Sequence, residues 1–208
     1  MPNSKSRIKV KVCGITEEKE AGELDGLGVD FLGFNFYSKS KRFIEPGDAI
    51  PIIRRLRHAM PVGIFVDEGP RTVKEIIEET GIRYVQLHGS ESNEYIARVP
   101  LPVIKAVKHT ELEEGLVRSA GNAEFLLFDT AAAGIFGGTG RSFDWGLLSR
   151  YKGKAPYFLA GGIGPGNIRE ALERLRPFCV DLNSKVELSP GRKDLGKIKY
   201  CLEQIRAF

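Results

Sequence analysis

The chain has 208 residues, 42% hydrophobic and 28% charged, enough for one sizeable core in an ordinary soluble protein. Its net charge of +4 is mild, with basic residues interspersed among Glu, which argues against a nucleic-acid protein and suits an anionic small molecule. Three widely spaced cysteines without CxxC pairs, no signal-like start and apolar runs too short for a bilayer exclude a disulfide scaffold, a zinc site and a membrane span, and make the cytoplasm the expected location.

The first strand is expected at 8–13, where Ile8-Lys9-Val10-Lys11-Val12-Cys13 alternates as a half-buried strand does. Gly14-Ile15-Thr16 follows, and Thr16 before Glu17, Glu18 and Glu20 reads as a helix N-cap with an acidic first turn. Cys13 would then lie near the positive end of a helix dipole, where a thiolate is favoured. It is a candidate base or nucleophile, although a lone Cys also serves as a small core hydrophobe. Further strands are expected at 29–34, 62–66, 83–87, 103–107, 124–129, 157–160 and 178–182. Helices are expected near 49–59, 73–80, 92–98, 112–119, 145–150, 167–175 and 195–206.

Eight strand–helix pairs of roughly 25 residues each, with no linker between them, predict a single (β/α)8 barrel domain over 1–208. An open doubly wound sheet is the alternative, but no GxGxxG follows the first strand. In a barrel the site lies at the C-terminal ends of the strands. Those tips are Cys13, Asn35, Asp67, His88, Asp129, Gly161-Gly162 and Asn183-Ser184.

Asp129 ends four apolar residues, so its carboxylate leans over a hydrophobic mouth and is suited to act as a general acid, or else it caps a loop. Paired with Cys13, it would move one proton off and another onto a small substrate. Ala160-Gly161-Gly162-Ile163-Gly164 and Asn183-Ser184-Lys185 follow the seventh and eighth strands, where barrels commonly bind phosphate. Arg42 is a candidate for bidentate pairing with a substrate carboxylate, or a solvated loop cation. The small-residue loop 131–140 is suited to be a lid, with Gly138 at the substrate. His88 either carries a proton or orders its loop.

Several motifs in order give the chain a specific resemblance: Lys11-Val12-Cys13-Gly14-Ile15-Thr16, Gly63-Ile64-Phe65-Val66, Val85-Gln86-Leu87-His88-Gly89, and Leu127-Phe128-Asp129-Thr130. Gly137-Gly138-Thr139-Gly140-Arg141-Ser142-Phe143-Asp144-Trp145, Leu159-Ala160-Gly161-Gly162-Ile163 and Pro190-Gly191-Arg192-Lys193-Asp194 complete the set. Over nearly its whole length the chain resembles the phosphoribosylanthranilate isomerases of tryptophan biosynthesis. The resemblance implies an Amadori rearrangement of N-(5-phosphoribosyl)anthranilate, with Asp129 as acid, Cys13 as base, Arg42 at the anthranilate carboxylate, and Gly161, Gly162, Asn183 and Ser184 at the phosphate. It implies no cofactor and no metal, a small phosphorylated substrate as partner, and no obligate protein partner. Three positions depart from the family pattern: Lys185 replaces a Gly and offers the phosphate a cation, Lys41 replaces a Pro, and Asp67 replaces an Asn. A histidine-pathway aminoaldose isomerase is the competing enzyme, with Cys13 in place of its carboxylate base arguing against it. A phosphate-binding barrel without catalysis is the competing non-enzyme.

Overall fold

A computed structural model describes residues 7–107, 120–129, 148, 151, 153 and 155–208. Eight strands run parallel in chain order: β1 (Lys9–Cys13), β2 (Phe31–Asn35), β3 (Met60–Phe65), β4 (Tyr84–Leu87), β5 (Val103–Val107), β6 (Phe125–Asp129), β7 (Tyr157–Ala160) and β8 (Cys179–Leu182). β8 returns to pair with β1, Val180 opposite Val10, and closes the barrel. The helices described are α1 (Glu18–Gly26), α2 (Pro46–Arg55), α3 (Pro70–Thr80), α4 (Asn93–Ile96), α5 (Ile168–Leu175) and α6 (Leu195–Ala207). The expected helices at 112–119 and 145–150 lie outside the described residues, except for Leu148. Among the described residues, no helix is long and apolar enough to cross a membrane.

Side chains alternate between two cores, as the period of a strand requires. Phe31, Val62, Ile104, Phe125, Leu127, Phe158 and Cys179 fill the barrel interior, where the Phe158 ring meets Phe31 at 5.4 Å and Phe125 at 5.5 Å. Val12, Leu32, Phe34, Leu126, Phe128, Leu159 and Val180 face the other way, into the core beneath the helices. Cys201 packs in this outer core.

The structure corrects three local expectations. β1 is not half-buried: closure gives it two covered faces, and Lys11 is turned inward with no exposed surface. Thr16 does not cap α1. Glu17 holds that position without a side-chain bond, and the Thr16 hydroxyl donates instead to the Gly191 carbonyl at 2.9 Å. The helix expected at 49–59 begins at Pro46 and ends at Arg55, because the Asp25 carboxylate takes the backbone N–H groups of Arg57, His58 and Ala59. After β8 the chain makes a 3₁₀ turn (Ser184–Val186) and a short hairpin, β9 (Glu187–Ser189) and β10 (Arg192–Lys193), which no periodicity announced.

Candidate active site

At the C-terminal mouth, the inward alternate positions of the strands enclose a cavity of about 240 Å³. Cys13, Gln86, Asp129 and Asp181 line it, as do Asn35, His88 and Arg42. The expected acid and base therefore share one cavity, on β6 and β1. The turns expected to hold phosphate supply its Gly161, Gly162, Asn183 and Ser184.

The thiol of Cys13 is buried at the end of β1. α1 starts five residues downstream, and burial pushes the thiol up. Among its neighbours, the charges of Lys11 and Lys193 favour a thiolate. Lys193 is itself buried: its Nζ donates to the Cys13 carbonyl at 2.5 Å, to Glu187 Oε1 at 2.6 Å and to Asn183 Oδ1 at 3.3 Å.

Across the cavity, His88 Nε2 lies 3.6 Å from Asp129 Oδ2. The Gln86 amide is 3.2 Å from His88 Nδ1, and with Gln86 Nε2 donating there, the ring proton is on Nε2, facing the carboxylate. Burial lowers the pKa of His88 against the pull of Asp129.

Arg42 is braced from behind. Its Nε and Nη2 donate to Glu187 Oε1 and Oε2 at 2.8 and 2.6 Å, so the brace takes the Nε–Nη2 edge of the guanidinium and not its Nη1–Nη2 edge. Gly14 permits this brace: at φ +78° it has no side chain, and an added Cβ would stand 2.4 Å from Arg42 Cδ. Burial opposes the charge of Glu187, but the bonds from Arg42 and Lys193 bring its pKa down to about 2.

The turn after β7 needs its glycines, since Gly161 and Gly162 adopt φ of +87° and +69°. Asn167 pins that turn, accepting from Gly164 N at 2.9 Å and donating to Gly162 O at 3.0 Å. Lys185 is exposed and is not among the residues lining the cavity, and its Cβ lies against Gly164. Gly138 and the rest of the 131–140 loop lie outside the described residues.

A family model described as N-(5'-phosphoribosyl)anthranilate (PRA) isomerase matches residues 10–204. The chain belongs to the phosphoribosylanthranilate isomerase family. The N-(5'-phosphoribosyl)anthranilate isomerase of Bacillus cereus is 40% identical to it over 195 residues, covering 92% of this chain and 95% of that protein. That of Thermotoga neapolitana is 39% identical over 204 residues, covering 96% and 98%. Among solved structures, the phosphoribosyl anthranilate isomerase of Thermotoga maritima is 36% identical, with a TM-score of 0.84 over 97% of this chain and all of that one. Another structure of a phosphoribosyl anthranilate isomerase, in complex with reduced 1-(o-carboxyphenylamino)-1-deoxyribulose 5-phosphate, is 33% identical, with a TM-score of 0.81 over the same shares.

Two of the three departures of this phosphoribosylanthranilate isomerase family member have a visible structural setting, and nothing in the structure explains Lys41. Lys185 sits in a 3₁₀ turn and is not among the positive-φ residues, so losing the family's Gly there costs no backbone strain. Asp67 does adopt a positive φ, +49°, and its Oδ1 accepts from Ser90 N at 2.5 Å, tying the loop after β3 to the loop after β4. The sequence reading missed Lys11, Gln86 and Asp181 inside the barrel and Glu187 and Lys193 behind Arg42. A period-2 reading would have found the first three, which share the inward face with Cys13, His88 and Asn183. Glu187 gave no local signal, and Lys193 stood in the motif Pro190-Gly191-Arg192-Lys193-Asp194 with no role attached to it.

Proposed function

We propose that this cavity isomerises N-(5-phosphoribosyl)anthranilate to 1-(2-carboxyphenylamino)-1-deoxyribulose 5-phosphate, the family's reaction in tryptophan biosynthesis, with Asp129 as acid and Cys13 as base. Asp129 gives a proton to the ribose ring oxygen as the anthranilate nitrogen lone pair expels it, opening the ring to a protonated Schiff base. Cys13 then removes the C2 proton, and the electrons of that C–H bond flow back to nitrogen to form an enolamine. Tautomerisation delivers the ketone. The substrate's nitrogen thus acts as electron relay, and the chemistry asks the protein only to move protons, an effect typically of 10²–10⁴-fold.

The observation that carries this reading is that Cys13 and Asp129 line one cavity whose rim is formed by the turns after β7 and β8. Gly161, Gly162, Asn183 and Ser184 are assigned to the phosphate, with Lys185 adding charge from outside the rim, and Arg42 to the anthranilate carboxylate. Gly138 is assigned to the lid over the substrate. The reading carries with it a cytoplasmic enzyme, one barrel domain over residues 1–208, acting without a cofactor or an obligate protein partner. It is tested by forming the substrate enzymatically from anthranilate and phosphoribosyl pyrophosphate and following its fluorescence. Wild-type protein should quench it at a rate proportional to enzyme added; a rate no faster than the enzyme-free control contradicts the reading.

A further inference from the structure

Lys11 has no part in the proton transfers above, yet its side chain is wholly enclosed in the barrel, two residues before Cys13 on the same inward face of β1. Its Nζ donates to Asp181 Oδ2 at 2.7 Å. Asp181 is also enclosed and lines the cavity, and its second oxygen has no hydrogen-bond partner among the described residues. A buried ion pair is weak evidence for stability, because apolar side chains of similar volume often serve as well or better. The lower interior of this barrel is filled with such apolar side chains. A charged pair directly below the thiol calls for another reason.

The groups facing Cys13 narrow that reason. β2 and β3 bring Gly33 and Ile64, which carry no charge. Arg42, from the loop after β2, and Lys193, from β10, both spend bonds on Glu187, and Lys193 reaches the carbonyl of Cys13. His88 and Asp129 belong to the far wall of the cavity. Lys193 favours the thiolate more weakly than Lys11 does, which leaves Lys11, held by Asp181, as the principal charge at the thiol. We propose that Lys11 is a positioning residue for the isomerisation: held in place by Asp181, its ammonium lies under Cys13 and stabilises the thiolate that acts as base.

The electrostatics agree in direction. Burial pushes the thiol up, and the strongest opposing influence is the charge of Lys11, which outweighs that of Asp181. Burial also works against the ammonium of Lys11, but the charge and hydrogen bond of Asp181, with the charges of Cys13 and Cys179, together raise its pKa above the ordinary lysine value. The role in catalysis rests on the isomerase reading; the effect on the thiol does not.

The test is the pH dependence of Cys13 alkylation by iodoacetamide, located by peptide mass so that Cys179 and Cys201 are counted separately. It is read in wild type, in Lys11→Met/Asp181→Asn, which leaves neither ion unpaired, and in Lys11→Arg, which keeps the charge. The double variant should shift the alkylation midpoint upward by about half to one pH unit, less than the full reach of a neighbouring opposite charge because the opposing charge of Asp181 is removed with that of Lys11. Its kcat/KM at pH 7 should fall about three- to tenfold and recover as the pH is raised, one unit of pKa being a factor of ten in thiolate. Lys11→Arg should stay near wild type in both. A purely structural lysine would lower activity at every pH and leave the midpoint in place. An unmoved midpoint in a folded double variant, or an equal shift in Lys11→Arg, overturns the proposal. If the double variant does not fold, Lys11→Gln is read by the same criterion. Alkylation needs no substrate, so its outcome is separable from failure of the isomerase reading, which would appear as wild type that alkylates normally but leaves the substrate untouched.

Discussion

The two halves of the barrel interior are built from the same strands and the same alternate positions, yet they hold opposite chemistry. In the lower half Phe31, Tyr84, Phe125 and Phe158 meet ring to ring. In the upper half Lys11, Cys13, Gln86, Asp129 and Asp181 converge, and Gln86 and Asp181 each have a buried oxygen that lacks a partner among the described residues. β6 shows the change within five residues, from Phe125 through Leu127 to Asp129, and β8 passes from Cys179 to Asp181. An unpartnered buried acceptor costs about 1–3 kcal/mol. The mouth therefore tolerates an energetic cost that the floor does not carry, and stability and chemistry are separated along the length of each strand.

That separation can be broken from either end. Phe158→Ala should remove about 3–5 kcal/mol of stability, the usual loss for a fully buried ring, and the protein that remains folded should keep its KM. Urea unfolding that shows a loss below about 1 kcal/mol would mean that the floor is not what holds the barrel closed. Glu187→Gln should have the next largest effect, and one that depends on pH. The folded pKa of Glu187, about 2, lies below its ordinary 4.5, so the stability it contributes is full above about pH 4.5 and is lost as the pH falls through 2. At pH 7 the variant should lose on the order of 3 kcal/mol, and the difference from wild type should narrow by pH 3. Phe158→Ala should show no such pH dependence, and a constant difference for Glu187→Gln would refute the assigned charge state. Arg42→Lys should raise KM about tenfold with little change in kcat, because an ammonium cannot be held by Glu187 and a substrate carboxylate through two forks at once. A fall in kcat with KM intact would move Arg42 into the chemistry. Lys185→Ala should raise KM only about two- to fivefold, as an exposed cation on phosphate would, and Lys199→Ala on α6 should leave it unchanged. Equal effects of the two would count against the role of Lys185.

The legible part of this molecule was what strand periodicity encodes. Cys13, Asp129, Gly161-Gly162 and Asn183 could be placed at strand tips because each ends a short apolar run. The barrel followed from eight such runs in succession. The alternation puts Lys11 on the same face as Cys13, but on a strand taken as half-covered that face reads as the solvent side. Only closure of the barrel, with Asp181 arriving from 170 positions away, makes an inward ammonium tolerable. The brace on Arg42 was hidden for the same reason. Glu187 lies 145 positions from it, in a hairpin too short to carry a periodic signal. Thr16 illustrates the opposite failure: its sequence context suits a cap, but a carbonyl from the distant Gly191 claims its hydroxyl.

The central claim is that the upper half works as a paired acid and base, and it is tested most directly by turnover of the phosphoribosyl substrate in Cys13→Ser and Asp129→Asn beside wild type. Both substitutions are close to isosteric, so melting temperatures should stay near that of wild type. Each variant should lose about 10²–10⁴-fold in kcat, the range for removal of a general acid or base. Turnover at the wild-type rate by either folded variant would contradict the account.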